Sequence, residues 1–157
     1  MKKRELFELK TGIENLLDYP GSEFGYSLNL NLNVVKEHIK AIEDAKRKPS
    51  EKLIAYTEAQ IEVIKKYAKK DKDDKFIIEN NQNVFDIKNL KDANKEFDKL
   101  KLKFGEQVRE NEEIQADYNA LLDSDIDTSK LEMIPKSLLP VGLTGRQSAP
   151  IMVLIVK

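Results

Sequence analysis

The sequence contains no cysteine and no tryptophan among its 157 residues. The absence of cysteine excludes disulfide bonds, zinc–thiolate sites and cysteine nucleophiles together, and it fits folding in a reducing, intracellular compartment. Aromatic residues make up only 7% of the chain, and the six glycines are scattered rather than gathered in a phosphate-binding loop. Cysteine-based chemistry and a glycine-rich phosphate-binding loop are therefore excluded.

The chain also lacks a dominant charge and a long hydrophobic run. Its 27 basic and 28 acidic residues leave a net charge of −1, so no overall field attracts nucleic acid or a membrane surface. The longest apolar run, Ile151–Val156, is six residues, far short of the ~20 that a membrane-spanning helix needs. Acidic residues follow the basic start at Met1–Arg4, so we expect no signal peptide. We expect a soluble protein without a membrane partner.

What the sequence has instead is helical periodicity. Apolar residues make up 40% of the chain and charged residues 35%, and the apolar ones recur at spacings of three and four. This pattern predicts four helices, at about 3–18, 34–48, 51–69 and 89–122. The turn residues Asp18–Gly21 end the first, and Ser50 is the predicted N-cap of the third, which forms either a separate helix or part of one kinked rod with the second.

Two segments have other patterns. Residues 24–32 alternate between apolar and polar, which predicts a short extended segment before the second helix. Residues 76–78 and 84–87 flank an Asn-rich stretch, which predicts a β-hairpin at 76–87. After the fourth helix, prolines punctuate an apolar stretch that ends in a strand or a short helix at 151–156. That last segment is either part of the core or an addition to the sheet edge of a partner.

The predicted fold is therefore mainly α (α+β): an antiparallel helical hairpin or bundle of three to four helices, with a small β-hairpin at 76–87 and an extended C-terminal tail. We expect a single domain over 1–157, in which 3–122 form the helical body and 123–157 the apolar tail.

The most informative pattern is the narrow apolar stripe along the fourth helix, in which Gly105 is the candidate position for a bend. Such a stripe buries one face against another helix, which can belong to the same chain or to another. We treat it as a candidate interaction seam, with homo-oligomerisation as the expected outcome and packing against the helices at 33–69 as the alternative. The seam residues are Phe97, Leu100, Phe104, Ile114, Tyr118 and Leu121.

We predict no catalytic, cofactor-binding or metal-binding residues. His38 is the sole histidine and falls on an apolar helix face, which is typical of a packed side chain. Asp71, Asp73 and Asp74 resemble a calcium loop only superficially, because lysines interrupt them and the required glycine and final glutamate are missing.

Basic residues suggest two further binding modes. The turn at 142–146 can present backbone amides and a guanidinium to an anion, or it is a plain turn. The anion-binding candidates are Arg109, Lys136 and Arg146. A lysine cluster at 65–72 invites a nucleic-acid role, but acidic residues follow it directly, so a solvated helix end is the preferred interpretation.

A series of short motifs follows one another in a distinctive order along the chain. They include Phe24–Tyr26, Asn31–Asn33, Ile42–Ala45, Tyr56–Ala59, Lys66–Asp71, Tyr118–Leu122, Leu139–Pro140 and Leu143–Thr144. In this order the chain resembles a family of small tailed-bacteriophage proteins. The resemblance spans about residue 5 to the end and departs from the family pattern at 71–75, where a glycine is usual. It implies a phage origin and transfers no active site.

Together these observations favour a non-enzymatic phage protein that acts through protein–protein contacts in virion structure or assembly. The alternative is an anti-defence protein that binds a host immune factor or sequesters a small anionic signalling molecule. Either role places the protein in the host cytoplasm during infection or in the virion.

Overall fold

The structure is a computed structural model that describes residues 1–19 and 22–156. Pro20 and Gly21, in the predicted turn, lie outside the described residues. The architecture is mainly helical with one small antiparallel sheet, as the sequence predicts. Its α-helices are α1 (Glu5–Glu14), α2 (Ser22–Asp44), α3 (Glu51–Tyr67), α4 (Ile87–Lys103), α5 (Gly105–Asp123) and α6 (Gly145–Ser148); two 3-10 helices, η1 (Lys136–Leu138) and η2 (Ala149–Leu154), and the strands β1 (Ile78–Glu79) and β2 (Gln82–Asn83) complete it.

The residues group into two compact units. The first unit comprises Met1–Lys46 and Asp117–Lys157, and the second comprises Arg47–Ala116. Helix α5 contributes its beginning to the second unit and its end to the first. The expectation of a single domain over 1–157 stays a prediction.

The core of the first unit lies between α1, α2 and the chain after α5. From α1 and the following turn come Leu6, Leu9, Ile13 and Leu16, and from the C-terminal segment come Ile134, Ile151, Leu154 and Ile155. The backbone N–H of Ile134 donates to the Leu154 carbonyl at 2.6 Å, and that of Val156 donates to the Ile134 carbonyl at 3.1 Å. The apolar tail therefore packs inside its own chain, and its predicted final element is the 3-10 helix η2.

The extended segment predicted at 24–32 is wrong, because these residues form the first half of α2. The alternation misled because polar Ser27 and Asn31 are buried, whereas Tyr26 and Leu30 are exposed. Burial follows the helical repeat instead. The buried residues of this stretch are Phe24, Ser27, Leu28, Asn31, Leu32 and Val35.

The second unit pairs α3 with α4 and carries the predicted hairpin. Asn80 and Asn81 link β1 to β2, and both have positive φ, at 50° and 62°. A two-residue hairpin turn of type I′ requires this conformation at both positions, and asparagine adopts it more readily than most residues.

The single helix predicted at 89–122 is divided at Phe104, next to the predicted bend at Gly105. Backbone hydrogen bonds from Phe104 to Leu100 and from Val108 to Phe104 nevertheless continue across the break.

Ser50 caps α3 as predicted, and the structure adds a partner that holds the cap. The Ser50 hydroxyl accepts the backbone N–H of Leu53 at 3.1 Å. The carboxylate of Glu110, on α5, accepts the Ser50 hydroxyl at 2.7 Å and the Ser50 backbone N–H at 2.9 Å. These two hydrogen bonds from Ser50 lower the pKa of the Glu110 carboxyl below its usual value of 4.5.

A pH dependence of stability follows from this contact. Because the pKa of Glu110 is lower in the folded state, its contribution is present above the unfolded pKa and is lost as the pH falls below about 4.5. We expect Glu110→Gln to lower the urea midpoint at pH 7 and to reduce its fall between about pH 5 and pH 3. Glu112→Gln is the control, since Glu112 makes no hydrogen bond or ion pair among the described contacts. Identical pH profiles for Glu110→Gln and wild type would contradict the assignment.

Candidate interaction surface

Four residues of the predicted seam belong to the second unit. Leu100, Phe104 and Ile114 pack in a small cluster with Leu53 and Tyr56 of α3. The rings of Tyr56 and Phe104 have centroids 5.5 Å apart and are tilted by 41°, a favourable aromatic contact. This part of the apolar stripe serves packing within the chain.

The last two seam residues, Tyr118 and Leu121, pack against the core of the first unit. The Tyr118 hydroxyl donates to the Glu43 carboxylate at 2.8 Å, which raises the pKa of the phenol. The ammonium of Lys46 lies 4.6 Å from the centroid of the same ring. The structure therefore divides five of the six predicted seam residues between two internal clusters, and a role for the seam in binding a partner stays a prediction.

Phe97 differs from the other seam residues because it lines an open groove of the second unit. The groove has a volume of about 530 Å³. Its apolar walls come from α3, α4 and the chain before α4, and the hairpin closes one side with polar side chains. The lining residues are Ile64, Asn81, Gln82, Asn83, Phe85, Leu90 and Phe97.

Helix α3 continues this apolar surface along its length. Its buried side chains, Leu53, Tyr56 and Val63, face the interior of the unit. One residue further on, a second series runs through Ile54, Thr57, Ile61 and Ile64, and we call it the outer stripe. Ile54 is 45% exposed and Ile61 is 43% exposed. The sequence does not predict that this stripe is exposed, although the one-residue offset between the two 3-4 repeats distinguishes it from the inner series.

The lysine cluster after the outer stripe is largely neutralised by acidic neighbours. Lys65, Lys66, Lys69 and Lys70 form ion pairs with Glu62, Glu96, Asp86 and Asp74, at 2.7, 2.7, 3.5 and 2.9 Å. The Tyr67 hydroxyl also donates to Glu96 at 2.8 Å, and these contacts lower the pKa of Glu96 and raise that of Lys66. Each pair is exposed and contributes little to stability, but each places a carboxylate beside one of the lysines, as expected for a solvated helix end.

The anion-binding candidates are exposed and lie on separate elements. Arg109 is on α5 in the second unit, whereas Lys136 begins η1 and Arg146 is in α6, both in the first unit. In the turn before α6, two residues satisfy each other's polar groups. The Gln147 side chain accepts the Thr144 backbone N–H at 3.0 Å, and the Thr144 hydroxyl accepts the Gln147 backbone N–H at 3.3 Å. This capping box favours the plain-turn interpretation.

His38 and the acidic loop take structural positions. His38 is half-buried and lines a small cavity of about 100 Å³ with Lys3 and aliphatic side chains of α2 and α5. In the loop at 71–75, the Asp71 carboxylate accepts the backbone N–H groups of Asp73 and Lys75 at 2.8 and 3.0 Å. Within the described ranges, no group of three or more histidine and acidic side chains is placed to hold a metal.

Comparison with protein-family models, with curated proteins and with solved structures finds no match for this chain. No helix in residues 1–19 and 22–156 combines the length and the apolar content that crossing a membrane requires.

Proposed function

We infer that this chain is a non-enzymatic phage protein that acts through protein–protein contacts, in virion structure or assembly. The observation that supports this inference is the apolar surface of the second unit, formed by the outer stripe of α3 and the adjoining groove. Contiguous exposed apolar surface of this kind is costly in water and is typical of a binding site for another protein. The phage origin rests on the sequence resemblance.

The alternative, an anti-defence protein, has less support from the contacts of the described residues. Sequestration of a small anion needs several cations around one concave site. Lys136 and Arg146 are on two different short helical turns of the first unit, and the backbone amide of Thr144 is engaged by Gln147. Binding of a host protein through the same apolar surface would be the surviving form of this alternative.

Quantitative mass spectrometry of gradient-purified particles and assembly intermediates from infected cells tests the proposal. We expect the protein at a fixed stoichiometry to the head or tail proteins in at least one of these fractions. Recovery only in the particle-free fraction, in a stoichiometric complex with a host protein or with a bound anion, would overturn the structural role. A non-structural phage protein of known abundance, measured in the same fractions, is the control for carry-over.

A further inference from the structure

Helix α3 carries two parallel apolar series, of which only the inner one is buried. In the outer stripe, Ile54 and Ile61 are exposed, and Ile64 is half-buried and lines the groove. The inner series faces the cluster around Ile114 and Phe104, whereas the outer stripe lies about 100° further round the helix. The Thr57 hydroxyl donates to the Leu53 carbonyl at 3.0 Å, so its polar group is already satisfied within the helix. The outer stripe can therefore be covered without leaving an unpaired polar group.

The outer stripe is self-complementary when read in opposite directions. Its two isoleucine ends, Ile54 and Ile64, lie at equal distances from the central pair Thr57 and Ile61. An antiparallel second copy of α3 therefore places Ile54 against Ile64 of the partner subunit and Thr57 against Ile61 of the partner subunit. A two-fold axis repeats both contacts, as isologous interfaces require.

The charges beside the stripe favour the same arrangement. Glu58 and Lys65 border its solvent side, seven residues apart, where flanking residues of a helix pair meet across the seam. An antiparallel pair brings Glu58 close to Lys65 of the partner subunit, and the symmetry makes this contact twice. In a parallel pair, Glu58 would instead lie level with Glu58 of the partner subunit, and Lys65 level with Lys65 of the partner subunit. Glu58 has no ion pair among the described residues, and Lys65 has only the exposed contact to Glu62, which is easily exchanged.

We propose that the chain forms a two-fold symmetric dimer in which the outer stripes of two α3 helices pack antiparallel, with Glu58 of each subunit paired to Lys65 of the other. This inference rests on the proposed function, because it identifies a second copy of the chain as a partner for the apolar surface that supports that function. One helix pair buries less area than a standard interface, so the dissociation constant is expected in roughly the micromolar range.

Sedimentation equilibrium of the full chain between about 5 µM and 500 µM tests the dimer. We expect a monomer–dimer equilibrium for wild type and a dissociation constant at least about 100-fold weaker for Ile61→Asp, because two charges would enter the apolar seam. Leu102→Asp is the matched control: Leu102 is 86% exposed on α4 of the same unit, outside the stripe. It should dimerise as wild type does. A wild-type monomer throughout, or equal affinity for Ile61→Asp and wild type, would overturn the proposal.

Charge reversal tests the antiparallel register independently, at positions whose exposure makes misfolding a minor concern. Glu58→Lys and Lys65→Glu should each weaken the homodimer by about tenfold, since each sets like charges together twice. An equimolar mixture of the two variants should recover near wild-type affinity as a heterodimer, because every cross-pair is then opposite in charge. Failure of the mixture to recover the dimer would refute this register.

The two proposals fail separately. A dimer with the predicted charge behaviour that is missing from particles and assembly intermediates would contradict the virion role and leave the interface intact. A strict monomer that is nevertheless found stoichiometrically in particles would refute the dimer and keep the role in assembly.

Discussion

Replacing Asn31 by alanine is expected to lower the free energy of unfolding of the first unit by about 2–4 kcal/mol. Asn31 is fully buried on α2. Its side-chain amide donates to the carbonyls of Ser27 and Glu132, at 3.0 and 2.9 Å, and its oxygen accepts the backbone N–H of Glu132 at 2.8 Å. The Asn31 side chain thus pairs with both backbone groups of Glu132, as a neighbouring β-strand would. These hydrogen bonds attach the C-terminal segment to α2.

The large cost arises because both backbone groups of Glu132 would lose their partner in a partly buried position. Hydrogen exchange measured by mass spectrometry should show lost protection at 131–134 and in η2, since Ile134 pairs with that helix. Asn29→Ala is the matched control: Asn29 also donates to the carbonyl four residues before it, at 2.9 Å, but it is exposed and makes no such contact with the tail. It should change stability by no more than about 0.5 kcal/mol. Equal effects of the two substitutions would contradict a specific role for Asn31.

Gly12→Ala is expected to destabilise the protein by about 1–3 kcal/mol, although alanine is the better helix former by about 1 kcal/mol. Gly12 is buried in α1, directly beneath Pro150 of η2. A Cβ at this position would overlap the Pro150 Cβ and lie 3.3 Å from its Cγ. Because the proline ring is rigid and η2 is anchored by buried Ile151 and Leu154, relief requires the helices to separate.

Gly25→Ala, in the same unit, is expected to have the opposite effect on the free energy of unfolding. Gly25 also lies inside a helix, α2, but an added Cβ there meets no other atom within 4 Å. Helix propensity alone then applies, and the variant should gain up to about 1 kcal/mol. Urea denaturation followed by circular dichroism compares the two variants directly. A stabilising Gly12→Ala would show that α1 and η2 are not in close contact in solution.

The pairs Gly12 and Gly25, and Asn31 and Asn29, show which effects follow from the sequence and which depend on tertiary contacts. Glycine weakens a helix through a local effect that applies equally to Gly12 in α1 and Gly25 in α2. What distinguishes the two glycines is Pro150, which lies 138 positions away from Gly12 in the sequence. Likewise, nothing in the residues around Asn31 separates it from Asn29, because the contact to residue 132 forms only when the tail folds back.

Local chemistry by itself determined the helical class, the β-hairpin, the Ser50 cap and the break near Gly105. Each depends on side-chain periodicity or turn preference over a few neighbouring residues. The tertiary structure decided the helical state of 24–32, since burial of Ser27 and Asn31 overrides an alternating pattern. It also decided which apolar series are covered: most of the stripe of α4 and α5 packs into two separate clusters, while Ile54 and Ile61 of the outer stripe of α3 stay exposed. Periodicity identifies an apolar helix face, but only the placement of distant segments determines whether that face is buried within the chain.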